Sequence, residues 1–273
     1  MTAPLERALL CEPSGGDYAA AGWQGAPDLE RLRREHSAFA ELLVSLGVEV
    51  TVVPASEGLV DACFAYDPVL VTGRGAVELS LVKPVRRDEP ARLIAALTEL
   101  GVPCLGRIAD GAFGDGGDMF WLDERTLAVA RGYRTNRAAH EQLATLLAAE
   151  DAVIERFDLP HHRGPESVLH LMSVISPIAD DLALVFEPLA PVPLLETLDE
   201  RAIRRVRCHP DELERQGCNA LAVRPGVLVM ADTCPETRRV LEQAGCDVHV
   251  YAAGELNRGH GGPTCLTRPV LRS

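Results

Sequence analysis

Three short stretches carry residue types that could act together in nucleophilic catalysis. RGHGGPTCLTRPV holds Cys265 on a glycine-rich turn, and AFGDGGDMFWL holds Asp115 and Asp118 on either side of a glycine pair. SVLHLMSV holds His170 in an apolar run that predicts a strand. A thiolate, a general acid/base and a carboxylate that orients the base or the substrate are the components of cysteine-dependent catalysis.

Each stretch also has a purely structural interpretation when it is taken alone. A cysteine is often a buried packing residue, a pair of aspartates around glycines is typical of a turn, and a lone histidine in an apolar strand is more often a core residue. Gly259, Gly261 and Gly262 permit unusual backbone conformations and close approach of the main chain to a ligand. They therefore favour a thiol that is accessible to a ligand over one that is packed in the core. It is the combination of the three stretches that favours catalysis.

Composition excludes several classes of protein. The chain has 273 residues and a formal net charge of −13, which argues against nucleic-acid and anionic-membrane partners because both reward clustered Lys and Arg. No apolar run approaches the roughly 20 residues of a membrane-spanning helix. The stretch MTAPLERALLCEP lacks the features of a secretory signal. We therefore expect a cytoplasmic protein that acts on a small molecule. Cationic small molecules are among the possible substrates.

Metal and disulfide chemistry find little support in the sequence. The eight cysteines contain no CxxC pair and no regular framework. The adjacent His161 and His162, with Glu166 and His170 nearby, lack further ligands at the usual spacings. We expect neither a metal nor a cofactor.

One helix–strand unit recurs along the chain and predicts an α/β protein forming a single domain over residues 1–273. Glycines in CEPSGGDYAAAG lack the G-x-G-x-x-G spacing of a doubly wound nucleotide-binding sheet, so radial closure around an axis is favoured over an open sheet. Each copy has helical periodicity, a helix stop and a β-branched run. The five copies cover residues 39–54, 91–107, 140–160, 211–230 and 237–256, with further strands at 68–79, 126–131 and 182–188.

Four motifs together resemble one enzyme family. GDGGD, HLMSV, RGYRTN and the terminal GGPTCLT are similar to those of the dimethylarginine dimethylaminohydrolases, which belong to the guanidine-modifying superfamily with arginine deiminases and amidinotransferases. The resemblance runs from about residue 7 to residue 268. It implies the α/β five-bladed ββαβ propeller, or pentein fold, with pseudo-fivefold symmetry, in agreement with the repeat.

The resemblance also implies roles for individual residues. Cys265 resembles the family nucleophile and His170 the general acid/base, while Asp115 stands where most members have Glu. DACFAYD resembles the segment D-x-x-F-x-E-D, except that Tyr66 replaces the Glu, which affects contacts to the substrate's amine or guanidinium. The implied substrate-binding residues are Asp61, Phe64, Asp67 and Asp118, with Arg86 and Arg134 as a clamp for the α-carboxylate.

The activity implied is hydrolysis of a C–N bond in the guanidinium of an arginine through an S-alkylthiouronium intermediate on Cys265, giving citrulline and an amine. Met172 stands where deiminases and amidinotransferases have an aspartate, which favours a methylated or otherwise N-substituted arginine. RGHGGP before the cysteine instead resembles the arginine deiminases. An arginine deiminase, an amidinotransferase and a non-catalytic binding homologue stay open as alternatives. The sequence is silent on oligomeric state, although this fold often forms homodimers.

Overall fold

The computed structural model describes residues 1–167 and 169–273. Contacts between residues divide the chain into two compact units. Unit one comprises Met1 and Tyr66–Met172, and unit two comprises Thr2–Ala65 and Ser173–Ser273.

The helices and strands alternate along the chain as expected for an α/β protein. The strands are β1 (Leu5–Cys11), β2 (Glu49–Val53), β3 (Val69–Val71), β4 (Ala76–Glu78), β5 (Cys104–Arg107), β6 (Met119–Trp121), β7 (Thr126–Arg131), β8 (Val153–Asp158), β9 (Ile175–Ala179), β10 (Leu182–Val185), β11 (Arg204–Arg207), β12 (Leu221–Arg224), β13 (Val227–Ala231), β14 (Asp247–Tyr251) and β15 (Arg268–Arg272). The α-helices are α1 (Leu29–Ser45), α2 (Glu89–Glu99), α3 (Arg137–Leu146), α4 (Val192–Glu200), α5 (Pro235–Gln243) and α6 (Pro263–Leu266).

The described strands form five separate three-stranded sheets that share one pattern. Each sheet pairs two strands antiparallel and adds a third strand parallel to the central one. Parallel neighbours cannot be joined by a tight turn, so a helix makes each crossover: α1 between β1 and β2, α2 between β4 and β5, α3 between β7 and β8, α4 between β10 and β11, and α5 between β13 and β14.

Unit one contains the sheets β3-β4-β5 and β6-β7-β8. Its core is built from apolar side chains of both sheets and of α3, including Val77, Met119, Val129 and Leu143. Asn136 begins α3, because its side chain accepts a hydrogen bond from the Ala139 N–H at 3.0 Å.

Unit two contains the sheets β15-β1-β2, β11-β10-β9 and β12-β13-β14. Helix α1 buries Leu32, Phe39 and Leu43 at helical spacing against this unit's core. Strand β15 pairs antiparallel with β1, with Leu9 opposite Arg268. This pairing anchors the chain directly after Cys265.

The predicted helix–strand units are confirmed at residues 39–54, 91–107, 140–160 and 237–256. The unit predicted at 211–230 is wrong, because Pro210–Arg215 is a 3-10 helix followed by the hairpin of β12 and β13. Gln216 ends this helix in the left-handed conformation, with φ of +69°. The helix of this repeat is α4, which sequence reasoning missed.

No helix of the described residues is long and apolar enough to cross a membrane.

Candidate active site

Unit one buries a group of ionisable residues that we call the acid–histidine cluster: Asp67, Asp115, Asp118 and His170. Asp115 and Asp118 bracket a 3-10 turn, Gly116–Asp118, that leads directly into β6. Both carboxylates are almost fully buried, at 1 % and 0 % exposure. The segment is therefore a turn, as its composition indicates, but its two carboxylates are buried.

His170 does not lie on a strand, so that part of the prediction is wrong. It directly precedes a 3-10 helix, Leu171–Ser173, and β9 begins only at Ile175. Val168, in the same predicted strand, lies outside the described residues. The Leu171 N–H donates to Asp118 Oδ1 at 3.0 Å, and such a bond between side chain and backbone competes with strand pairing.

The glycine pair allows the cluster to form. A Cβ atom on Gly116 would collide with the Tyr66 carbonyl oxygen, and one on Gly117 would collide with the His170 ring. The Gly117 N–H donates to Asp67 Oδ1 at 2.9 Å. Glycine is required here because the backbone approaches both an imidazole and a carboxylate closely.

The charges around His170 favour its protonated form. His170 Nε2 lies 3.2 Å from Asp115 Oδ2. Burial alone would lower the pKa of His170, but Asp67, Asp115 and Asp118 together raise it to about 9. The side chain is therefore an imidazolium at neutral pH. Burial raises the pKa of Asp118 to about 6, against the opposing charge of His170.

Two carboxylate oxygens of the cluster have no hydrogen-bond donor among the described residues. These are Asp115 Oδ1 and Asp118 Oδ2, and both atoms are buried. A buried charged oxygen without a partner is costly, and native sites rarely contain one without a functional reason. The pair can accept two N–H bonds from a cationic ligand.

Arg86 is held between two carboxylates of unit one. Its Nη1 lies 2.6 Å from Asp67 Oδ2, and its Nη2 lies 2.8 Å from Glu89 Oε2. Burial would raise the pKa of Asp67, but Arg86 and His170 hold it below its usual range. Arg134 Nη1 lies 4.0 Å from Asp115 Oδ2. The role of the two arginines in clamping a carboxylate stays a prediction.

The thiol segment, residues 259–266, lies in unit two. Cys265 sits in α6, is neither fully buried nor exposed, and packs against the core of unit two. The Asn219 side-chain amide donates to Cys265 Sγ at 3.2 Å, and Asn219 Oδ1 accepts from the Thr264 N–H at 3.0 Å. The thiol thus packs on the core and also accepts a hydrogen bond from Asn219, which lies two residues before β12.

The glycines of this segment are required for a reason that the sequence analysis did not predict. None of Gly259, Gly261 and Gly262 has a positive φ, whereas His260 between them has φ of +60°. A Cβ atom on Gly261 would collide with the ring of Phe64. Close approach to an aromatic side chain, and not an unusual backbone conformation, is therefore the reason for glycine here.

The segment DACFAYD contributes to both units. In unit two, Asp61 Oδ1 accepts a hydrogen bond from Trp23 Nε1 at 2.7 Å, and the rings of Trp23 and Phe64 lie 5.8 Å apart. In unit one, the Tyr66 hydroxyl donates to the Met119 carbonyl oxygen at 3.1 Å. Tyr66 carries a phenol whose hydroxyl already donates to this carbonyl, so it supplies no carboxylate in place of the expected Glu.

Sequence reasoning missed three residues that support these groups. Glu89 lies three positions after Arg86, a helical spacing for ion pairs that could have indicated it. Trp23 and Asn219 lie 38 and 46 residues from the groups they bind, so no local pattern signals them. In the part of the chain that the structure describes, no three His, Cys, Asp or Glu residues are grouped to hold a metal ion.

Sequence comparisons point to arginine-modifying enzymes. The family model for arginine deiminase matches residues 191–272. An arginine deiminase of Listeria monocytogenes is 26 % identical over 251 residues, which cover 77 % of this chain and 60 % of the deiminase. The uncharacterized protein YkgA of Bacillus subtilis is 26 % identical over 238 residues, which cover 87 % of this chain and 79 % of YkgA. The chain thus spans about 60 % of the length of the deiminases it matches.

Solved structures confirm the predicted fold. Dimethylarginine dimethylaminohydrolase from Pseudomonas aeruginosa, a cysteine-to-serine mutant in complex with citrulline, aligns with a TM-score of 0.81, 20 % identity and coverage of 99 % and 100 % of the two chains. The N-terminal domain of ArgZ, a cyanobacterial arginine dihydrolase, aligns with a TM-score of 0.84, 20 % identity and coverage of 97 % of each. These neighbours and the five ββαβ sheets show the pentein fold. The chain therefore has the pentein fold, and its sequence is similar to those of arginine deiminases.

Proposed function

We propose that this protein hydrolyses a C–N bond in the guanidinium group of an arginine-type substrate, with Cys265 as the nucleophile. The observation that carries the proposal is the pair of buried carboxylate oxygens, Asp115 Oδ1 and Asp118 Oδ2, beside a buried imidazolium at His170. A guanidinium presents several N–H donors in one plane and so matches acceptors of this kind.

The charge balance of the acid–histidine cluster and the charged groups paired with it supports a cationic substrate. The carboxylates of Asp67, Asp115, Asp118 and Glu89 are accompanied by three cations, Arg86, Arg134 and His170. One negative charge is therefore left over when all of these groups are ionised. A guanidinium monocation compensates it, which lowers the cost of keeping four carboxylates away from water.

The chemistry that we propose proceeds in two halves. The Cys265 thiolate adds to the central guanidinium carbon, and His170 gives its proton to the departing amine as the C–N bond breaks. This leaves an S-alkylthiouronium on Cys265. Neutral His170 then takes a proton from water as the water adds to the same carbon. Release of the thiolate and loss of the remaining hydroxyl proton to solvent give a urea product, citrulline in the case of an arginine.

The raised pKa of His170 suits the first half of this reaction. At neutral pH the imidazolium is already present as the acid that the departing amine requires. Binding of a second cation near it weakens its hold on the proton, because like charges disfavour each other's ionised forms. Substrate binding thus makes the His170 imidazolium a stronger acid for the departing amine.

Two features support an N-substituted arginine as the substrate. Met172 is 3 % exposed and follows Leu171, whose N–H binds Asp118, so an apolar side chain stands where deiminases have a carboxylate. The Tyr66 hydroxyl donates a hydrogen bond to the Met119 carbonyl oxygen, and Tyr66 stands where the related enzymes have a carboxylate. A guanidinium nitrogen that carries methyl groups needs fewer acceptors than one that carries hydrogens.

Arginine deiminase is the second candidate. The family model over residues 191–272 and the similarity to Listeria deiminases favour it. For this activity the substrate would be free arginine and the departing amine would be ammonia.

A product assay tests the proposal and separates these candidates. The purified protein is incubated with arginine, Nω-methylarginine and Nω,Nω-dimethylarginine, with and without glycine or ornithine, and citrulline, amines and guanidino compounds are quantified. We expect citrulline together with methylamine or dimethylamine. Faster turnover of free arginine identifies a deiminase, and a new guanidino compound identifies a transferase. If none of these products forms, the proposed function is wrong.

A further inference from the structure

Asn219 is the polar side chain that connects two parts of the thiol segment. Its amide nitrogen donates to Cys265 Sγ at 3.2 Å, and its amide oxygen accepts from the Thr264 N–H at 3.0 Å. A backbone N–H can only donate, so the oxygen of the amide must face Thr264. The NH₂ end is therefore the end that faces the sulfur.

The backbone around Asn219 is held firmly. The Ser176 hydroxyl donates to the Cys218 carbonyl oxygen at 2.8 Å and accepts from the Ala220 N–H at 3.1 Å, so it clamps both neighbours of Asn219. Asn219 itself is 3 % exposed. A Cβ atom on Gly262 would collide with the Asn219 side chain, which makes glycine a requirement for this close contact.

Two strands of unit two, β13 and β14, lie near Cys265. Helix α6 packs on β13, whose residues Val227–Ala231 carry no titratable side chain. Tyr251 on β14 interacts electrostatically with Cys265. Burial raises the pKa of Tyr251 well above its usual range, so this phenol stays neutral. The Asn219 amide donates to the sulfur from a buried side chain, and a hydrogen bond to an ion is stronger away from bulk water.

We propose that Asn219 is a positioning residue for the nucleophile: it fixes the direction of Cys265 Sγ and favours the thiolate over the thiol. An N–H bond to an anion is about twice as strong as one to a neutral group, so the amide stabilises the reactive form selectively. The inference rests on the proposed function, in which Cys265 attacks the substrate.

The rate of alkylation of Cys265 by iodoacetamide, measured against pH, tests this inference without any substrate. Iodoacetamide is uncharged and reacts with the thiolate, and peptide mass spectrometry separates Cys265 from the other seven cysteines. The variants are Asn219→Ala, which removes the donor, and Asn219→Asp, which keeps the shape and replaces the donor by a carboxylate.

We expect the midpoint of the pH–rate curve to rise by about one to two pH units in Asn219→Ala. One hydrogen bond to a charged group corresponds to roughly tenfold to hundredfold slower alkylation at neutral pH. Asn219→Asp should shift the midpoint at least as far, because a carboxylate repels the thiolate. The aspartate side chain has nearly the same shape as the asparagine that it replaces, so this variant keeps the test usable if the alanine variant does not fold.

Asn136→Ala is the matched control, since Asn136 also binds backbone groups through both ends of its amide but lies in unit one. It should lower the melting temperature and leave the alkylation midpoint of Cys265 unchanged. If folded Asn219 variants alkylate Cys265 with the wild-type midpoint, or faster, the inference is wrong. A shifted midpoint in a protein that turns over no guanidine would overturn only the proposed function.

Discussion

Two buried histidines, one in each unit, have pKa values shifted in opposite directions. In unit one, three carboxylates raise the pKa of His170 to about 9. In unit two, burial in α1 lowers the pKa of His36 to about 4, with Glu12 opposing the shift, and His36 Nε2 has no hydrogen-bond partner among the described residues. The acid–histidine cluster favours a cation, whereas the environment of His36 disfavours one.

The same contrast appears in how each unit positions its candidate catalytic residues. The acid–histidine cluster is organised by charge, through Arg86 on Asp67 and His170 on Asp115. The thiol segment is held by close packing and one hydrogen bond. Gly261 packs closely on the Phe64 ring, and the Asn219 amide donates to Cys265 Sγ. Ion pairs therefore fix the side chains of the cluster in unit one, whereas close packing and one hydrogen bond fix the thiol in unit two.

The largest expected effect is on turnover, in the variant Cys265→Ser. A serine hydroxyl has almost no ionised population near neutral pH, and the guanidinium carbon is a poor electrophile, so activity should fall by at least about a thousandfold on the scale of nucleophile deletions. Citrulline formation measures the effect, and circular dichroism checks that the fold is intact. Cys104→Ser, at the exposed thiol, should retain full activity. Retention of more than a few per cent of activity by Cys265→Ser would remove this residue from its role.

The next effect in size is on stability, in the variant Arg86→Met. It leaves Asp67 and Glu89 buried without their cation, and breaking a buried ion pair in this way costs about 3–5 kcal/mol. Urea-induced unfolding at pH 7 measures the loss. Arg131→Met removes the exposed pair with Asp158 and should cost less than about 1 kcal/mol. Equal losses in the two variants would mean that charge does not organise unit one.

His36→Leu tests the opposite arrangement in unit two. A histidine with a lowered folded-state pKa contributes stability above its unfolded pKa of about 6.5 and loses it as the pH falls towards 4. His170 has the reverse sign: its contribution is present below about 6.5 and is lost as the pH rises through 9.

The difference in unfolding free energy between His36→Leu and the wild type should therefore grow in favour of the variant by about 3 kcal/mol between pH 7 and pH 4. Denaturant titrations across this range measure it. Using the difference cancels the contribution of Asp118, whose raised pKa makes stability fall as the pH rises from about 4 to 6. A difference that is constant with pH would contradict the account of His36.

The smallest effect concerns substrate choice, in the variant Met172→Asp. It adds a carboxylate two residues after His170, and one charge-assisted hydrogen bond is worth about 1.5–3 kcal/mol. The preference for N-substituted arginines over free arginine, as a ratio of kcat/KM values, should fall by roughly tenfold to a hundredfold. An unchanged ratio, or a wild-type protein that already prefers free arginine, would contradict the interpretation of Met172.

Local patterns account for what the sequence predicts and what it misses. The four confirmed helix–strand units and the glycine-flanked Asp115, Asp118 and Cys265 all have signals within a few residues. Helix α4 was missed because the 211–230 stretch, which resembles a helix–strand unit, contains a short 3-10 helix and a hairpin. Asn219 depends on a contact across 46 residues, which only the folded chain reveals.

The central claim is that Cys265 forms a covalent bond to the guanidinium carbon, and mass spectrometry of the quenched reaction tests it most directly. The protein is mixed with a substrate identified by the product assay, quenched in acid during turnover and digested. The account predicts a Cys265 peptide that carries the mass of the substrate minus the departing amine, and no such addition on the other seven cysteines. Citrulline production with an unmodified Cys265 peptide at every quench time, or the adduct on another cysteine, would contradict it.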